Sequence, residues 1–301
     1  GFQVSKKEWS EEWLSFFEQY HLPKQAPENI FPFKDHLSES IDSAAFEQSH
    51  LVQPDLFLRV RPGHQQTVEK KLKAAAVDFV ATGNMIRLPN GPKVDDVLKL
   101  NKEAVVQDYS SQRVGELLEV YKSEISSATC DIKVWDCCAA SGGKSLLAAD
   151  ILQNIQLTVA DIRPSIIANL KKRFAEAGIS NYHSFVADLT KADPGQSFDL
   201  IIADVPCSGS GTWARTPEQL VFFPEEKIAT YAKLQRDMLT NAIRFLKPGG
   251  YLLYITCSVF QEENELQTRY LAEQGLTLIT ESILKGYDRQ ADTMFAALMR
   301  S

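Results

Sequence analysis

Apolar positions follow two different rhythms along the chain. Over residues 5 to 20, Trp9, Trp13, Phe16, Phe17 and Tyr20 recur at helical spacing. They predict an amphipathic helix whose aromatic stripe packs on a core or a domain surface. Pro23, Pro27 and Pro32 interrupt the chain before a short segment at Ile41 to Phe46. Leu56 to Val60 then predicts a strand and Gln65 to Ala76 a helix. Phe79 to Leu88 predicts a strand or a hairpin around Gly83 and Asn84, closed by the Asn90-Gly91-Pro92 turn. These elements make a small α/β module over residues 1–104.

From Val105 onward, strand and helix patterns alternate. Ser110 or Ser111 is placed to cap a helix carrying Val114, Leu117, Leu118 and Tyr121 on one side. Strands are expected at Lys133 to Cys137, Leu157 to Asp161, Tyr182 to Asp188, Phe198 to Asp204 and Tyr251 to Cys257. The run Leu200, Ile201, Ile202 and Ala203 has no polar alternation, as in a strand buried on both faces. Helices are expected from near Lys144, Pro164 and Glu225, the second stopped by Gly178 and the third by Lys247-Pro248-Gly249-Gly250. Repeated βα units imply a mostly parallel, doubly wound, Rossmann-like sheet over residues 105–301, closed by an antiparallel hairpin of Leu276 to Thr280 with Met294 to Met299.

Composition changes this picture little. With 44% hydrophobic and 24% charged residues, disorder is not expected. No apolar run approaches the ~20 residues that span a bilayer, so a membrane role is not expected and a cytoplasmic, monomeric protein is. The net charge of −7 argues against non-specific wrapping of a long duplex. Arg59, Arg61, Lys70, Lys71 and Lys73 form a modest basic cluster, which suits a solvated helix face at least as well as an RNA contact. Cys130, Cys137, Cys138, Cys207 and Cys257 are odd in number and form no CxxC pair. Neither a disulfide framework nor a metal site is expected from that spacing.

Two loops carry the chemistry. Asp136 to Ser145, DCCAASGGKS, joins a strand to a helix through small residues, which allows a ligand close to the backbone and the helix N-terminus. Cys138 stands where a phosphate loop needs its first glycine, so nucleoside triphosphate binding is rejected, and the dinucleotide GxGxxG spacing is absent. Three acids, Asp161, Asp188 and Asp204, stand at the ends of successive strands, and Asp161 lies at the distance from the glycine loop that suits ribose hydroxyls. An adenosine ligand without a pyrophosphate fits this set, and S-adenosylmethionine is the expected cofactor. In the second loop, FDLIIADVPCSGSGTW, the strand ends in Asp204, Pro206 and Cys207 before glycine-rich turns. A neighbouring strand ends YLLYITCSVFQEENE, which would bring Cys257 to the same pocket as Cys207. A free thiol is mostly protonated at neutral pH, so a nucleophilic cysteine here needs activation by its surroundings.

Together, DCCAASGGKS, FDLIIADVPCSGSGTW, LQRDML with LKPGGYLLYITCS, and VQDYSSQ resemble the Nop/Sun (Fmu, RsmB-like) family of RNA cytosine-5 methyltransferases, over roughly Val105 to Arg300. LFLRVRPGHQQTVEKKL more loosely resembles that family's small RNA-binding module. The resemblance implies a class I methyltransferase fold and cofactor contacts from Cys138, Ala139, Ala140, Ser141, Gly142, Gly143 and Lys144. It also implies Asp161 at the ribose, Asp188 near the adenine and Asp204 between cofactor and target base. Cys257 matches the nucleophile that adds to carbon 6 of cytosine, and Cys207 the cysteine that assists product release. Ser141 stands where the family usually has proline and removes no ligand group. The implied substrate is RNA, ribosomal ahead of transfer RNA. An amino-group methyltransferase would read DPPY-like or NPPY-like where this chain has Asp204-Val205-Pro206-Cys207, and a DNA cytosine-5 enzyme would carry its nucleophile in a PCQ context. A non-catalytic RNA-binding or assembly factor on the same fold is the rival from another class.

Overall fold

The computed structural model describes residues 30–89, 93–125 and 132–301. The expected helix over residues 5 to 20, Pro23, Pro27, Cys130 and the Asn90-Gly91-Pro92 turn lie outside the described residues.

A short helix α1 (Ser43–Ser49), capped by the Asp42 carboxylate, precedes the small module. That module comprises β1 (Leu56–Val60), α2 (Gln65–Ala74), β2 (Val80–Thr82), β3 (Met85–Leu88) and β4 (Ala104–Val106). Its four strands pair antiparallel in the order β2-β3-β1-β4. Val68 and Leu72 of α2 cover Leu58, Val60, Ile86 and Leu88. Two sets of contacts cross the division expected at residue 104. Strand β4 crosses it by pairing with β1, and Phe31, Phe33 and Phe46 pack with Trp213, Phe223 and Phe260 in the core of the larger sheet. Local patterning could not separate these assignments, because an aromatic residue buries equally well against either unit.

The basic cluster also resolves differently from a solvated face. Arg59 is buried and donates to Gln107 Oε1 at 2.7 Å and to Asp150 Oδ2 at 2.6 Å. Arg61 shares Asp150 and donates to the carbonyls of Asn101 and Ala177. Lys71 pairs with Glu103. Burying a guanidinium is tolerable only with such partners, so Arg59 and Arg61 tie the small sheet to the larger domain. Only Lys70 and Lys73 of the five remain on an exposed face.

The larger domain runs α3 (Tyr109–Glu124), β5 (Ile132–Asp136), α4 (Gly143–Leu152), β6 (Ile155–Asp161), α5 (Pro164–Ala177), β7 (Tyr182–Val186), β8 (Phe198–Asp204), α6 (Gln219–Phe222), α7 (Glu226–Ala242), β9 (Leu246–Thr256), α8 (Glu265–Glu273), β10 (Thr277–Leu284) and β11 (Met294–Arg300). The sheet order is β10-β11-β9-β8-β5-β6-β7, with β5 to β9 parallel and β11 antiparallel to both its neighbours. This is the expected Rossmann-like sheet. Leu200 and Ile202 enter the core beneath α3, α4 and α5, while Ile201 and Ala203 enter the core beneath α7, so β8 is buried on both faces. The order reverses at β5, and ligands of such sheets bind beyond the carboxyl ends of the strands at that point.

Two local expectations shift. The cap of α3 is Asp108, whose carboxylate accepts from Ser110 N, and the buried Ser110 hydroxyl serves the carbonyls of Leu284 and Asp292 instead. Helix α7 ends at Ala242, followed by a 3₁₀ turn, and Lys247 to Gly250 open strand β9. Gly249 takes φ +74°, and a Cβ on Gly250 would lie 3.0 Å from the Phe198 carbonyl. The two glycines therefore let the strand bulge where pairing shifts from Phe198–Leu246 to Leu200–Tyr251.

Candidate active site

The glycine loop hangs between two strand ends. Cys137 N donates to the Ile202 carbonyl, Ala139 N to Ala160 O, and Gly142 N closes a turn on Ala139 O. Gly142 takes φ +83° at the start of α4, and a Cβ there would sit 2.5 Å from the Phe174 ring. Both conformation and space therefore require glycine. Beneath the loop, the fully buried Asp136 accepts from Ser145 Oγ at 2.5 Å, while its Oδ1 has no partner among the described residues. Burial pushes the Asp136 carboxyl up to about 7. Arg173 donates to Ser141 Oγ at 2.9 Å, so the serine in the family's proline position gains a tether.

Asp161 accepts from Ala140 N at 3.1 Å and from Arg163 N and Nε at 2.9 and 3.0 Å. Burial opposes its charge, but these bonds prevail and hold the carboxyl below its ordinary value. The next side chain, Ile162, is exposed. Asp188 is placed differently. It lies beyond the end of β7, and its carboxylate accepts from Thr190 N and Oγ1, bonds that lower its pKa.

Lys144 Nζ meets Asp204 Oδ2 at 2.9 Å. The lysine is buried, which disfavours its charge, yet Asp204 and Cys257 nearby outweigh burial and raise its pKa. The two cysteines are brought together as the neighbouring strands require: Cys257 N donates to Cys207 Sγ at 3.3 Å. The hydrogen bond to Cys257, burial and the charges of Cys257 and Glu263 push the Cys207 thiol well up. Backbone bonds staple their loops, Val205 N to Ile255 O and Gly211 N to Cys257 O, and Gln235 Nε2 holds the Pro206 carbonyl.

Sequence reasoning passed over Asp136 with Ser145, Arg163, Arg173, and the buried Glu263 and Asn264. Glu263 and Asn264 lie in the quoted QEENE stretch, but nothing in its spacing separates a buried carboxylate from a surface one. A cavity of about 530 Å³ lies elsewhere, between the small sheet and α3 and α4. Its charged walls are paired internally through Asp150, Glu116 and Glu119, and it holds none of the cysteines. Among the described residues no cluster is suited to hold a metal, and no helix is long and apolar enough to cross a membrane.

Known proteins resemble this chain in sequence and in fold. The family model for 16S rRNA methyltransferase RsmB/F matches residues 127–290. Ribosomal RNA small subunit methyltransferase B of Xylella fastidiosa is 30% identical over 81% of this chain and 57% of its own length. The tRNA (cytosine(72)-C(5))-methyltransferase NSUN6 of Mus musculus is 31% identical over 60% of this chain and 38% of its own. The chain thus spans about half the length of the curated relatives it matches. The crystal structure of PH0851 superposes with a TM-score of 0.81 at 22% identity, covering 98% of this chain and 75% of that one, which establishes the shared fold. The glycine loop and the paired cysteines both lie within the matched stretch, and the chain belongs to the 16S rRNA methyltransferase RsmB/F family.

Proposed function

We propose that the chain methylates carbon 5 of a cytosine in RNA, ribosomal ahead of transfer RNA, with S-adenosylmethionine as methyl donor, acting as a monomer in the cytoplasm. The observation that carries the reading is the pair of cysteines joined by the Cys257 N–H to Cys207 Sγ bond, next to the Lys144–Asp204 pair. A ribosomal RNA enzyme and a transfer RNA enzyme both stand among the relatives, and the first is matched over more of its length.

The residues present fit the cofactor. Ala140 and Ser141 leave the glycine loop exposed, Asp161 offers a charged acceptor for ribose hydroxyls, and Ile162 presents an exposed apolar side chain beside it for a flat ring. Cys138, Ala139, Gly142, Gly143 and Lys144 complete the cradle, and Asp188 is assigned to its adenine side. When bound, S-adenosylmethionine supplies an electrophilic methyl group.

Carbon 5 of cytosine is a poor nucleophile. Addition of the Cys257 thiolate to carbon 6 forms a C–S bond and moves the ring's electron pair to carbon 5, which then takes the methyl. Lys144 supplies the nearby positive charge for a thiolate at Cys257, and Asp204 hydrogen-bonds the ring edge to hold it in line. Once Cys257 is a neutral thioether, its charge no longer opposes ionisation of Cys207, which gives up its thiol proton to solvent against burial and the charge of Glu263. Cys207 as thiolate then removes the proton on carbon 5, the C5–C6 double bond reforms, and Cys257 leaves as thiolate. The target base must be unpaired or flipped from its stack.

A denaturing gel with labelled RNA tests this. Cys207→Ala is expected to transfer the methyl yet remain attached to RNA as a slow band, whereas Cys257→Ala shows neither methylation nor band. Methylation intact in Cys257→Ala, with no band in any variant, would end the covalent mechanism.

A further inference from the structure

The QEENE turn after β9 has no part in the chemistry above, yet it encloses a carboxylate beside the Cys207 loop. Glu263 is fully buried. Its two oxygens accept from Ser208 N at 3.1 and 3.0 Å, and Oε2 also accepts from Ser208 Oγ at 3.0 Å. Ser208 follows Cys207 directly. Ser208, Ser210 and Ser258 hydroxyls close a triangle with each edge 3.1 Å, and Ser258 follows Cys257 directly. Asn264, the next residue of the turn, holds the other loop. It accepts from Thr256 Oγ1 at 2.6 Å and donates to Ser258 O at 3.0 Å. Consecutive side chains of one turn thus grip the residues flanking each cysteine.

We propose that Glu263 is a positioning residue that, through Ser208, keeps the Cys207 loop in register with the Cys257 loop so that Cys207 reaches the adduct formed at Cys257. The inference rests on the covalent reading above. Simple loop stapling is a weaker account, because a carboxylate is a costly staple. Its other titratable neighbours are Cys207, Tyr254 and Glu262, none of them a cation, and burial pushes Glu263 up to about 7. An apolar side chain would fill this space at lower cost, but it would leave the Ser208 N–H and O–H without an acceptor. What the carboxylate adds is two acceptor oxygens that converge on both the N–H and the O–H of the residue next to Cys207.

Single-turnover methylation of labelled cytosine-containing RNA, followed on a denaturing gel, tests it with wild type, Cys207→Ala, Glu263→Ala, Glu263→Gln and Glu263→Asp. Calorimetric affinity for S-adenosylmethionine serves as the folding control. Glu263→Ala is expected to keep cofactor affinity and methyl transfer, but to release RNA roughly tenfold to a hundredfold more slowly, accumulating the same slow band as Cys207→Ala. Glu263→Gln, which keeps one acceptor oxygen, should restore most of the release rate. Wild-type release in Glu263→Ala, beside a persistent band in Cys207→Ala, overturns the inference alone. No band in Cys207→Ala overturns the covalent reading and the inference with it. Should Glu263→Ala fail the folding control, Glu263→Asp, whose shorter side chain draws both oxygens back from Ser208, decides: slowed release supports the proposal and wild-type release overturns it.

Discussion

Gly211 offers a severe test of how closely the two cysteine loops are fitted. Its φ lies outside the left-handed region, so alanine is conformationally allowed there. Space forbids it: a Cβ would fall 1.9 Å from the Thr293 carbonyl oxygen, 2.9 Å from its carbon and 3.1 Å from Cys257 O. The first contact must open by more than an ångström, and all three atoms are backbone. Gly211 also donates to Cys257 O at 2.9 Å and accepts from Thr293 N at 2.8 Å, and a shift of that size breaks both bonds. Overpacking at about 1–3 kcal/mol and two lost hydrogen bonds at about 0.5–1.5 kcal/mol each give a destabilisation of about 2–6 kcal/mol for Gly211→Ala. Gly63→Ala is the control, because Gly63 has φ +80° with nothing within 4 Å of its Cβ position. It should lose only about 1–2 kcal/mol from the strained conformation. Urea unfolding of both variants measures the difference. If Gly211→Ala costs no more than Gly63→Ala, the close approach of loop 205–211 to Thr293 does not exist as described, and the register of the cysteines loses that support.

Asp161→Ala should weaken S-adenosylmethionine binding by about 1.5–3 kcal/mol through lost charged hydrogen bonds, read by calorimetry. Unchanged affinity would remove Asp161 from the cofactor site. Asp136 should make stability depend on pH. Its native pKa of about 7 lies above the unfolded value near 3.9, so the native state keeps a proton that the unfolded chain releases between about pH 4 and pH 7. That contribution is fully present below about pH 4 and is lost as pH rises through about 7. Asp136→Asn should therefore gain stability relative to wild type between pH 5 and pH 8, and parallel urea midpoints at the two values would refute the assignment.

Much of the architecture was already written in local patterning. Strands β1 and β8 fall where the apolar runs end, α5 lies between Pro164 and Gly178, and the alternation of units implied the parallel sheet with its antiparallel closure. The candidate site was legible for a related reason. Ligand sites of such sheets lie at strand ends, so Asp161, Asp204, Cys207 and Cys257 could be placed by strand order alone. Contacts between distant segments were a different matter. That Phe31 and Phe33 join the core under Trp213, that β4 crosses the expected boundary, and that Arg59 turns inward to Asp150 depend on which surfaces meet in three dimensions. No periodicity records that, because a buried arginine and an exposed one have the same neighbours in sequence. The same holds for Glu263, whose grip on Ser208 spans 55 residues. Periodicity tells a side chain which face of its own element to occupy. Only packing decides what it finds there, and hence whether a carboxylate is solvated on a surface or enclosed between two cysteine loops.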